Sequence, residues 1–155
     1  MHLLLMAIDR TASLTGDLAQ ITVKEAKAHH AKVVVLCCVP DDGQLLPIRL
    51  SLTASESSEL IHTEPAKDGQ NNAEQVVRCA LSHLFLAGIE AEGRVCSGDP
   101  ANIITQEARQ LDASMIIMGR RHLSSLNRLI QGSVSKAVLE SSPCPVLIVP
   151  CCQSI

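Results

Sequence analysis

Tryptophan and tyrosine are absent from this chain, and phenylalanine occurs once, at Phe85. Platforms that stack the bases of single-stranded nucleic acid need several aromatic rings, so that class of binder is disfavoured. A dominant sign of charge is lacking too. Thirteen Lys and Arg stand against sixteen Asp and Glu, a net charge of −3 that does not fit a general polyanion binder. No apolar run reaches the ~18 residues of a membrane span. The opening stretch His2–Ile8 is apolar but ends at Asp9-Arg10 and has neither a basic n-region nor a small-residue cleavage site, and it reads as a buried strand rather than a signal peptide. A soluble, cytoplasmic protein with no membrane and no nucleic-acid partner is expected.

The motifs of several enzyme classes are also missing. There is no G-x4-G-K-[S/T], no G-x-G-x-x-G opening a helix, no G-x-S-x-G elbow and no H-E-x-x-H. Seven cysteines are present without a C-x-x-C, and two of the pairs, Cys37-Cys38 and Cys151-Cys152, are adjacent. Neighbouring strand residues face opposite ways, so Cys37 and Cys38 cannot easily share a metal, and reduced thiols are the expectation. His2, His29, His30, His62 and His83 show no ligand spacing and read as structural or surface residues.

What is present is an alternation of strand and helix. Strands are expected at 3–8, 32–39, 90–97, 113–118 and 146–149, and helices at 14–29, 66–87, 101–110 and 133–140. Continuous apolar runs such as Val33-Val34-Val35-Leu36 and Met115-Ile116-Ile117-Met118 suit parallel strands covered on both faces. Asp99-Pro100 fits an N-cap followed by proline at the first helical position, and Gly88 a helix stop. The length of 155 residues suits a single domain over 1–155. The stretch Pro40–Pro65 shows no convincing periodic element beyond a short helix around Ser55–Ile61, and stands open as a lid, a partner-binding loop or a mobile connector.

Between Asp112 and Glu140 there is no acidic residue, while Arg120, Arg121, Arg128 and Lys136 are all there. An apolar strand runs into Gly119 and a basic loop, and Gly132-Ser133-Val134-Ser135 then opens a helix. Glycines admit close backbone approach, and a helix N-terminus offers unpaired N–H groups and a positive dipole end. The pattern points to an anion, phosphate above all.

The spacing Gly119-x-x-His122-x9-Gly132-Ser133 resembles the G-x2-G-x9-G-[S/T] signature of the ATP-binding branch of the universal stress protein family. The turn Gly98-Asp99-Pro100-Ala101 and the segment Pro143–Val149 extend the resemblance over essentially the whole chain. It implies a doubly wound five-stranded parallel sheet in the order 3-2-1-4-5, Rossmann-like and similar to the adenine nucleotide alpha hydrolases, with helices on both faces. It also implies an adenine-nucleotide site. Ala7, Ile8 and Asp9 would lie on the adenine and ribose side, and Val39 against adenine. Met118 and Gly119 would bring backbone to the ribose and first phosphate, with Arg120 beside them. Gly132, Ser133, Val134 and Ser135 would supply N–H and hydroxyl donors to the phosphates. Asp9 and Ser133 are the candidates to touch a Mg²⁺ carried by the nucleotide.

His122 departs from the signature, standing where it has its middle glycine. Two outcomes are open: the imidazole donates to a phosphate, or its bulk weakens or remodels the site. Asp9 has a second reading as an acid near a helix start, and of Arg120 and Arg121 at most one faces the ligand. With no evident base for water attack, no catalytic residue is assigned and any ATP turnover is expected to be slow. The expected function is an ATP-binding regulatory domain of the stress response, homodimeric through Val146–Val149. The rivals are a nucleotide-free interaction protein of the same fold and a slow ATPase.

Overall fold

The computed structural model describes residues 2–9, 15–39, 48–51, 69–119 and 133–149. Within these residues the chain runs β1 (Leu3–Ile8), α1 (Thr15–His29), β2 (Lys32–Val39), β3 (Ile48–Leu50), α2 (Gly69–Leu86), β4 (Ala91–Ser97), α3 (Pro100–Gln110), β5 (Met115–Gly119), α4 (Ser133–Ser141) and β6 (Val146–Val149). The strands form one sheet in the order β3-β4-β2-β1-β5-β6. The five expected strands pair in parallel throughout, in the expected order.

The sheet departs from expectation at one edge. Among the described residues it has six strands and is mixed, because β3 pairs antiparallel with β4 through Ile48↔Val95, Arg49↔Arg94 and Leu50↔Gly93. The stretch Pro40–Pro65 is therefore not without a periodic element. Three residues hold a single apolar–basic–apolar alternation, too short to register as a strand pattern. What selects them is the unpaired N–H and C=O groups along the outer side of β4. The helix expected around Ser55–Ile61 lies outside the described residues, as do Cys151 and Cys152.

Strand alternation divides the interior in two. Leu4, Met6, Ile8, Val33, Val35 and Cys37 face the side covered by α1 and α2, where they meet Leu18, Ala19, Val76, Val77, Leu81 and Leu84. Leu5, Ala7, Val34, Leu36 and Cys96 face α3 and α4, against Ala101, Ile104, Ala108 and Val138. Burying a Leu, Ile or Val side chain stabilises by roughly 1.5–3 kcal/mol, and the unbroken apolar runs do so on both faces at once. Cys37 and Cys38 fall on opposite faces, as the strand geometry requires.

Local signals explain the element ends. Asp99 caps α3, its carboxylate accepting from the Asn102 N–H at 3.1 Å, and Pro100 takes the first helical position as the cap–proline pair predicts. At the other end Ala113 N–H donates to Ala108 O at 2.9 Å and Ser114 N–H to Leu3 O at 2.7 Å. Ala113 thus closes the end of α3 and Ser114 ties the incoming chain to β1, while β5 itself runs from Met115 to Gly119. In β4 the position of Gly93 is dictated by packing: a Cβ there would lie 2.3 Å from Val77 Cγ1 and 3.1 Å from Leu81 Cδ1. Only a residue without a side chain lets α2 settle this closely on the sheet.

Candidate functional site

The winding reverses between β1 and β5. Strands β1, β2 and β4 are joined through α1 and α2 on one face; α3 then carries the chain across the boundary from β4 to β5, and α4 joins β5 to β6, both on the opposite face. In a doubly wound sheet the crevice beyond the carboxyl ends of those two strands is where ligands sit. Ala7 and Met118 are direct neighbours there, and Asp9 follows β1 at once, half-buried. Val39 ends β2, its carbonyl accepting from the Gly98 N–H at 2.9 Å, which draws the end of β4 to the same edge.

The start of α4 reaches this edge as well. Four residues, 142–145, join Ser141 to β6, whose Val146 pairs with Ile116 near the amino end of β5. The helix therefore runs from the carboxyl edge back to the amino edge, and Ser133, Val134 and Ser135 are its first residues. Its nine residues extend about 13 Å, close to the length of the strands it covers. Val134 and Val138 pack into the apolar cluster that contains Ala7 and Met118. The Arg109 guanidinium fixes the far end by donating to Ser141 O at 2.9 Å. Four unpaired N–H groups are the general property of such a helix start.

Gly119 ends β5 without a left-handed backbone; among the described glycines only Gly88 and Gly98 have positive φ. Among the described residues, a Cβ built on Gly119 meets nothing within 4 Å. Neither backbone conformation nor packing against these residues demands glycine at this point. The space a side chain would take lies at the mouth of the crevice, next to Val149 of β6.

The side chains expected to line the site are divided. Ala7 and Met118 are buried on the α3–α4 face, and Ile8 and Val39 on the α1–α2 face. A ligand across this edge meets those four through backbone and strand-end surface, not as four convergent side chains. Arg120, His122 and Gly132 lie outside the described residues, as do Arg121 and Arg128.

Two polar features beside the edge were not anticipated. Arg94, on the α3 face of β4, donates from Nη1 to Glu107 Oε2 at 2.6 Å and from Nη2 to Glu92 Oε1 at 3.0 Å. Burial alone would lower the Arg94 pKa, but the bonds to Glu107 and Glu92 outweigh it and hold the guanidinium charged more firmly than usual. Cys38 and Cys96 are direct partners across β2 and β4. Burial pushes the Cys38 thiol well above its ordinary range, with Cys37, Cys96, Glu107 and Asp99 adding to the effect. Counting back from the two strand ends would have found this pair, since each cysteine stands one residue before its strand's end. Among the described residues no group of three His, Cys, Asp or Glu is arranged to hold a metal ion. No helix among them is long and apolar enough to cross a membrane.

Fold and crevice together define a doubly wound α/β protein with its candidate site at the β1–β5 reversal. Comparison with known proteins then gives the family. The model of the universal stress protein family matches residues 1–150, and the chain belongs to that family. A universal stress protein of Synechocystis is 29% identical over 148 residues, 94% of this chain and 96% of the relative. The universal stress protein YxiE of Bacillus subtilis is 42% identical over 89 residues, 57% of either chain.

Solved structures share the fold at lower identity. A universal stress protein of Archaeoglobus fulgidus in complex with dAMP has a TM-score of 0.68 at 18% identity, over 96% of this chain and 97% of that one. A universal stress protein in complex with cAMP gives 0.65 at 19%, over 96% of each chain. A member from Arabidopsis thaliana with AMP bound gives 0.66 at 14%, over 97% and 92%.

Proposed function

We propose that the carboxyl edge of this sheet binds an adenine nucleotide, with ATP the working ligand, and that the protein acts as a regulatory domain of the stress response rather than as a dedicated enzyme. The observation that carries this is Gly119: a glycine at the crevice mouth whose missing side chain neither its φ nor the packing of the described residues explains. Close approach of a ribose or phosphate to backbone accounts for it. The structures of family members with AMP, dAMP and cAMP support the ligand class.

In this reading Ala7, Ile8 and Asp9 bound the adenine and ribose side, and Val39 offers its strand-end surface to the base. Met118 and Gly119 present backbone to the ribose and first phosphate. Gly132, Ser133, Val134 and Ser135 supply donors at the helix start, where phosphate charge is favoured by the aligned peptide dipoles. Arg120 and His122 add positive charge or donors. A Mg²⁺ would arrive with the nucleotide and be met by Asp9 and Ser133. The nucleotide contributes its charge and shape; this chain orients it.

Equilibrium binding of ATP and AMP to the purified protein, with and without Mg²⁺, tests the proposal. Saturable binding of ATP below millimolar concentration is expected, and absence of binding at millimolar ATP overturns it.

A further inference from the structure

Cys38 and Cys96 stand opposite one another as Cα partners in the parallel β2–β4 pair. Both lie on the α3–α4 face, Cys96 buried in that cluster and Cys38 half-buried against it. Adjacent strands run about 4.8 Å apart, inside the roughly 4.4–6.8 Å Cα separation that a disulfide spans. Both are free thiols. The Gly98 N–H bond to Val39 O, at 2.9 Å, pins the register just beyond them. Cys37, the next residue in β2, points into the opposite cluster and has no access to Cys96.

We propose that Cys38 and Cys96 form a dithiol that a hydroperoxide converts to a cross-strand disulfide, a redox modification site beside the carboxyl edge and independent of nucleotide binding. Sγ of Cys38, the more exposed, attacks the O–O bond of the peroxide. An S–O bond forms, the O–O bond breaks, and the departing oxygen leaves as water with the thiol proton. Sγ of Cys96 then attacks the sulfenic sulfur, forming the S–S bond and releasing the hydroxyl as a second water. Two thiols lose two protons and two electrons, and one hydrogen peroxide becomes two waters.

The surroundings set the pace. Burial keeps both thiols protonated, and at Cys38 the nearby groups, Cys96 across the strands, Cys37 next in the chain, and Glu107 and Asp99 on α3 and its cap, act the same way. At Cys96 burial and Glu107 raise the value while Arg94 opposes them. The thiolate is the nucleophile, so oxidation at neutral pH is slow and accelerates with rising pH. A thiol of high pKa is also a poor leaving group, so the disulfide resists reduction once made. The pair behaves as a slow, persistent latch.

The test treats the full chain with hydrogen peroxide, blocks remaining thiols with an alkylating agent, and maps tryptic peptides by mass spectrometry. Cleavage at Lys32, Arg49, Arg94 and Arg109 releases 33–49, which holds Cys37 and Cys38, and 95–109, which holds Cys96. The expected product is these two peptides linked within one chain, two hydrogens lighter than their sum, with fragment ions locating the link at Cys38. In Cys38→Ser the link is lost, and in Cys96→Ser the Cys38 sulfenic acid accumulates and is captured by dimedone. Absence of the linked peptide, a link through Cys37, or a link found only between chains on non-reducing electrophoresis overturns the proposal. Fragment-ion mapping of the unsubstituted chain decides the point even where a variant does not fold.

Discussion

Two glycines act through the side chain they lack, and their substitutions separate stability from binding. At Gly93 a methyl group would overlap the β-branched Val77, which has no freedom to retreat. Gly93→Ala should lower stability by about 1–3 kcal/mol through overpacking, measured by denaturant unfolding. Gly119 meets no described neighbour at its Cβ position. Gly119→Leu should leave the melting temperature within about 2 °C of the parent while weakening ATP binding more than about tenfold. Unchanged binding in that variant removes the reason given for the glycine. The thiols make a third case. Cys38, Cys79 and Cys96 all have pKa values raised by burial from the ordinary 9.0, so above that pH the unfolded chain loses protons that the folded chain keeps. Stability is therefore fully present below pH 9.0 and declines as pH rises beyond it. Melting temperatures at alkaline pH should fall less steeply in Cys38→Ala than in the parent, and parallel curves would count against this.

Elements were legible in the sequence wherever their signals were local. The Asp99-Pro100 start of α3 is such a case, since cap and proline act within one turn. Asp99→Ala removes the acceptor for the Asn102 N–H and should cost about 1 kcal/mol, near 2–4 °C in melting temperature. A smaller loss would mean that water or the next turn satisfies that N–H equally well. The apolar run predicts β5 from Ala113, but the Ala113 N–H closes the end of α3 on Ala108 O and Ser114 only tethers the approach to β1 through Leu3 O. Strand β3 was missed for the complementary reason. Three residues carry too little alternation, and their pairing is imposed by β4. The Arg94–Glu107 relation is equally hidden, because it joins residues on different elements through packing, whereas the Cys38–Cys96 pair is readable once the strand order is known, by counting back from the two strand ends.

At the scale of the molecule, β6 is, among the described residues, an edge strand of four apolar residues, all half-buried, with Leu147 and Val149 packed toward one face and Val146 and Ile148 toward the other. Such an edge offers unpaired backbone groups, and pairing with a second copy is the simplest way to satisfy them. We propose that the protein is a homodimer through Val146–Val149. Sedimentation equilibrium at tens of micromolar should report twice the chain mass of 16.6 kDa, and a monomer at that concentration would reject the interface. The sequence by itself determined the strand–helix alternation, the apolar runs covered on both faces and the glycine-rich, acid-free stretch, because each depends on residues close together in the chain. Only the tertiary structure decided that Ala7 lies beside Met118, that Val39 falls on the face opposite to both, and that a sixth strand extends the sheet at one edge. Those facts follow from strand register and winding, which bring together groups a hundred residues apart and which no local pattern encodes.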